Sequence, residues 1–107
     1  MTLDDTGLRF VAVARVGEIP EGKGKLVRVD AREIALFLVE GRYFALKNAC
    51  PHEGDALWRG RIEDGAVACP NHGWWFELGT GKCVRLGDRD ARAFPVKVEG
   101  DRILVGV

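Results

Sequence analysis

The chain has 107 residues, 47% hydrophobic and 30% charged, and its sixteen cations balance sixteen carboxylates to a formal net charge of zero. That composition excludes a disordered chain, and the length suits one domain with a single core. A zero balance gives no basic surplus for phosphate neutralisation, which argues against nucleic acid as a partner, and no apolar run approaches the roughly 20 residues of a membrane helix. Met1 to Phe10 carries no basic stretch followed by an apolar core, so no secretory leader is visible and the cytoplasm is the expected location.

In chain order the sequence reads as short strands and tight turns. Arg9 to Arg15 alternates as a strand, and Lys25 to Val29 and Ile34 to Val39 follow, rich in Val, Ile and Phe. Ile34 to Val39 has no polar face, which suits a buried strand better than an amphipathic helix. Glu40-Gly41 is spaced as a two-residue hairpin loop leading into Arg42 to Leu46. A second hairpin is written around Asp64-Gly65, between Arg61-Ile62-Glu63 and Ala66-Val67-Ala68. Gly79-Thr80-Gly81 suggests a third, and Gly100-Asp101 a fourth, between Pro95–Glu99 and Arg102–Val107. No segment keeps a helical period over three turns, so the fold class is all-β, a compact sandwich or small barrel.

Chemistry concentrates in two places. Cys50-Pro51-His52 and Cys69-Pro70-Asn71-His72 use both histidines of the chain, with sixteen residues between His52 and Cys69. Each pair stands where an apolar strand gives way to Pro and Gly, and the segment between them contains a hairpin. Two loops can therefore meet at one end of a sheet and converge two thiolates and two imidazoles. Three cysteines without an export signal argue against a disulfide framework and for a metal or redox role. Structural zinc sites usually pair Cys with Cys and His with His, whereas each loop here offers one of each. That mixture suits a two-iron cluster with both thiolates on one iron and both imidazoles on the other; zinc and a Cys–His nucleophile pair are the rivals. Cys83, just after a turn, reads as a buried strand cysteine. One of Trp74 and Trp75 should point outward from its strand, and Asp88 to Arg92 should be a solvated loop.

The spacing Cys-Pro-His-x16-Cys-Pro-x-His, followed by Gly73, resembles the signature of the Rieske iron–sulfur proteins. The likeness spans roughly residues 8 to 107: Gly54, Leu57, Asp64-Gly65, His72-Gly73-Trp74 with Phe76, Gly79 to Lys82 and Phe94 to Val98 are similar to the soluble Rieske ferredoxins. It implies a β-sandwich carrying a cluster-binding subdomain formed by two loops, in one domain over residues 1–107. It further implies one 2Fe–2S cluster per chain, with Cys50, His52, Cys69 and His72 as ligands. Neither an oxygenase catalytic domain nor a membrane anchor is expected.

The function so implied is one-electron transfer from an NAD(P)H-linked flavoprotein reductase to a terminal oxidoreductase such as a ring-hydroxylating dioxygenase, without substrate turnover by the chain alone. The alternatives are the small subunit of an NAD(P)H-dependent assimilatory nitrite reductase and, from another class, a zinc-stabilised binding module. High-potential members of the family have a disulfide beside the cluster and hydroxyl donors after the second loop. The matching positions here are Asp55 and Asn71, and Trp74 and Phe76, which implies a low potential.

Overall fold

The computed structural model describes residues 2–3, 7–52, 54–71 and 73–107. His72 and Glu53 lie outside the described residues. Among the described residues there is no helix, and none long and apolar enough to cross a membrane. Twelve strands among the described residues form three four-stranded antiparallel sheets. The first sheet joins β1 (Thr2–Leu3), β2 (Arg9–Arg15), β12 (Arg102–Gly106) and β11 (Val96–Glu99) in that order. The second has the order β10 (Ala93–Phe94), β5 (Arg42–Lys47), β4 (Arg32–Val39) and β3 (Lys23–Val29). The third joins β6 (Ile62–Glu63), β7 (Ala66–Ala68), β8 (Trp75–Glu77) and β9 (Cys83–Arg85).

The expected all-β class and a layered sandwich with a smaller third sheet are both present. The second sheet is the middle layer. Its β4 residues Ile34 and Leu36 join Ala14, Ile103 and Val105 of the first sheet in one core. The alternate residues Ala35 and Phe37 join Val67 and Phe76 of the third sheet in another. All four residues from Ile34 to Phe37 are fully buried, so a strand without a polar face is what a layer covered on both sides requires.

The turns follow local chemistry. Glu40 and Gly41 have φ of 52° and 75°, and Asp64 and Gly65 have 50° and 75°, the paired positive angles of a type I′ hairpin. The Glu21 carboxylate accepts the N–H groups of Glu40 at 2.6 Å and Gly41 at 3.0 Å, and these bonds hold its carboxyl below the usual range. A further two-residue loop, Asp30-Ala31, joins β3 to β4, with Val29 opposite Arg32. β3 and β4 each begin two residues earlier than the sequence suggested, because the hairpin between them is tight and its strands stay paired as far as Lys23 opposite Leu38.

Phe37 is the largest side chain that β4 sends into the second core. Phe37→Ala should destabilise the protein by about 3–5 kcal/mol, read as a lowered urea midpoint with an unchanged slope.

Candidate metal centre

Both cysteine loops grow out of the core between the second and third sheets. Cys50 follows β5, Cys69 follows β7, and both belong to that core, with 1% and 2% of their surfaces exposed. The loops repeat one hydrogen-bonding plan. The Cys50 N–H donates to the Asp55 carbonyl at 2.7 Å, and the Gly54 N–H donates back to the Cys50 carbonyl at 2.7 Å. The Cys69 N–H donates to the Trp74 carbonyl at 2.7 Å, and the Gly73 N–H to the Cys69 carbonyl at 3.1 Å. Gly54 and Gly73 close the turns with φ of 80° and 71°, angles that a β-carbon would oppose.

The loops also meet. The His52 ring of the first lies 4.8 Å from the Trp74 ring of the second, tilted by 42°, and Trp74 lies 6.4 Å from Phe76. Gly87 backs Trp74 so closely that a β-carbon there would collide with the indole. Three of the four residues expected to be ligands, Cys50, His52 and Cys69, thus stand on loops in contact, and the fourth, His72, lies outside the described residues. No disulfide joins Cys50, Cys69 and Cys83. Two buried thiols at equivalent places of two matched loops, with an imidazole on one of them, fit a thiolate- and imidazole-ligated cluster.

Other readings sort themselves. Trp75 does face away from Trp74, but it is not a bare outward tryptophan: it packs on Ala66 and Ala68, with Arg61 and Arg85 guanidinium groups each 5.6 Å from its ring, and is only 8% exposed. Cys83 is half-buried against the second core, its thiol directed at the Arg85 carbonyl at 3.6 Å. The 88–92 loop has exposed charges yet is tied down, since Asp90 accepts the Cys83 N–H at 2.8 Å and the Arg92 carbonyl accepts the Lys47 N–H at 2.8 Å. Sequence reading missed Asn48. Its side chain is 5% exposed, and its Oδ1 accepts the N–H groups of Leu57 at 2.9 Å and Trp58 at 3.0 Å, closing the segment that contains the first loop. Asn flags a turn when it bonds its own backbone a few residues on, whereas these partners lie nine and ten residues away, so no local signal marks the clamp.

A family model, the Rieske 2Fe-2S domain, matches residues 9–99. The ferredoxin component of an alkene monooxygenase system from Xanthobacter autotrophicus is 33% identical over 100 residues, covering 92% of this chain and 82% of that protein. The ferredoxin component of the naphthalene 1,2-dioxygenase/salicylate 5-hydroxylase systems of a Ralstonia species is 36% identical over 98 residues, covering 90% and 93%. Among solved structures, the ferredoxin of carbazole 1,9a-dioxygenase from Nocardioides aromaticivorans superposes with a TM-score of 0.86 at 28% identity, covering 90% of this chain and 95% of that one. A chain described as an NADH-dependent nitrite reductase small subunit from Mycobacterium tuberculosis superposes at 0.87, with 24% identity and coverage of 94% and 96%, a likeness of fold. The fold is one that an iron–sulfur ferredoxin shares, and the chain belongs to the Rieske family. Its cofactor is accordingly a 2Fe–2S cluster.

Removing the Asn48 acceptor leaves two N–H groups in or beside the core without their partner. Asn48→Ala should cost about 2–4 kcal/mol and speed hydrogen exchange at Leu57 and Trp58, while Asn48→Asp, which keeps an acceptor, should recover much of the loss.

Proposed function

We propose that Cys50, His52, Cys69 and His72 hold one 2Fe–2S cluster and that the chain, a single domain over residues 1–107, is a cytoplasmic one-electron carrier. Its donor in this reading is an NAD(P)H-linked flavoprotein reductase and its acceptor a terminal oxygenase. The observation that carries the reading is the matched pair of loops, each offering a buried cysteine at the same place in the same hydrogen-bonded turn. Relatives above 30% identity that are ferredoxin components of oxygenase systems support the choice of acceptor. The likeness to a nitrite reductase small subunit, at 24%, speaks for the fold alone. Family membership favours iron–sulfur chemistry over a zinc-stabilised binding module.

Bound there, the cluster supplies a centre that gains and loses one electron. The protein's own part is to hold the thiolates dry and fixed. Cys50 and Cys69 are buried, so the loops need not rearrange with each change of charge, and Trp74 backs the His52 ring and limits water on that side. Phe76 lies fully buried in the same core as both cysteines and brings no hydroxyl to their sulfur atoms. Donors to sulfur stabilise the added electron, so lacking a hydroxyl at position 76 lowers the potential.

Protein purified without oxygen should contain about two irons and two acid-labile sulfides per chain, and His72→Ala should lose them. Stoichiometric zinc in fresh protein would reject the assignment. Voltammetry should place the potential near the low end of the Rieske range, about −150 mV, and Phe76→Tyr should raise it if the new hydroxyl reaches a ligand sulfur. A wild-type value well above zero would show that the sulfur environment has been misjudged.

A further inference from the structure

Beside the second loop the surface is hollowed on both sides of the Arg59–Arg61 segment. A hollow of about 620 Å³ is lined by Lys23, Trp58, Arg59 and Arg61 among others, and a second of about 280 Å³ continues from Arg59 and Arg61 to Cys69, Pro70 and Gly73. Among the described residues neither hollow is lined by an acidic side chain. Arg61 spends its charge on Glu63, at 2.8 Å. Lys23 and Arg59 have no ion-pair partner among the described residues, and the Arg59 guanidinium lies 5.3 Å from the Trp58 ring. A chain with zero net charge thus concentrates positive charge along a groove that ends at a proposed cluster ligand.

The groove is built rather than draped. Asn48 grips the N–H groups of Leu57 and Trp58, and the Gly60 N–H donates to the Leu57 carbonyl at 2.9 Å. The Ala68 N–H donates to the Arg61 carbonyl at 2.9 Å. A β-carbon at Gly60 would strike the Ala68 carbonyl oxygen, and one at Gly24 would strike the Trp58 carbonyl oxygen. Backbone therefore packs on backbone on both sides of Arg59, and its charge is presented from a fixed base. Fixed cations beside an aromatic face attract carboxylates at little ordering cost.

We infer that this groove receives the acidic face of a protein that exchanges electrons with this chain, an inference that rests on the cluster reading above. Docking there sets the partner against the flank of the second loop, at the end of the groove where Cys69 stands. Two acceptor proteins of opposite charge test it, acidic cytochrome b5 and basic cytochrome c. In each reaction one electron leaves the reduced cluster and converts a ferric haem to ferrous. With the wild-type holoprotein, reduction of cytochrome b5 should slow as salt is added. Lys23→Glu/Arg59→Glu should slow it by about tenfold or more at low salt and abolish or invert the slowing by salt, without slowing cytochrome c. Calorimetric binding of oxidised cytochrome b5 to the oxidised holoprotein should weaken in parallel, and Arg59→Lys should retain most of the rate. The cluster spectrum should be unchanged throughout, and any shift in potential should be small and downward, which would speed rather than slow electron loss to either cytochrome. Wild-type rates with cytochrome b5 in the double variant, or equal slowing with both cytochromes, would overturn the docking site. A protein without a cluster spectrum would overturn the cluster reading instead, and the docking site with it.

Discussion

Because Ile34 and Leu36 fill one core while Ala35 and Phe37 fill the other, the middle sheet cannot slip by a single residue without exchanging the contents of both. The two cores are not interchangeable. The first takes branched aliphatics against Ile103 and Val105, and the second pairs a small residue with a large aromatic against Val67 and Phe76. A one-residue slip would put Phe37 where Leu36 fits and Leu38 where Phe37 had been, overpacking one core and underfilling the other, at about 1–3 kcal/mol for each misfit by ordinary core-substitution magnitudes. Register in β3, β4 and β5 is thereby fixed, and with it the point at which β5 ends and the first cysteine loop begins.

The second core is also the floor of the candidate metal centre. Cys50 and Cys69 are members of it, so the layer that fixes the register also fixes the separation of the two loops. Each loop then needs only local chemistry: a strand end, a Pro that cannot continue pairing, and a Gly at positive φ that returns the chain to the cysteine's own carbonyl.

Which parts of this were legible in the sequence follows from how local the deciding interactions are. Glu40-Gly41 and Asp64-Gly65 announced their hairpins because a Gly sits where the backbone demands positive φ. Asp30-Ala31 did not, since Asp30 adopts φ of 55° before an Ala, and no residue type there flags the turn. The doubly buried strand was readable as an absence of polar residues, and the paired Cys–His loops were readable from spacing alone. Trp75 was half readable. Alternation sends it outward, but its cover comes from Arg61, just before β6, and Arg85 on β9, which no local pattern reveals. Asn48 was missed because its partners lie nine and ten residues on, across the whole first loop.

Charge follows the same division between what a total tells and what an arrangement tells. A balance of zero excludes long-range steering by net charge, and at physiological salt an exposed charge acts over only about 8 Å. What remains is charge that acts on contact, and it is unevenly placed. Arg9 with Asp30, Lys25 with Glu18 and Arg28 with Glu33 neutralise one another on the first two sheets, at 2.8, 2.7 and 3.1 Å. Lys23 and Arg59, by contrast, face the groove that leads to Cys69. A carrier with strong net charge would attract any opposite surface and hold it in many orientations. One that is neutral overall but polarised at a short-range contact is weakly attractive everywhere else, so an encounter becomes favourable only when the partner already lies against the groove and near the second cysteine loop.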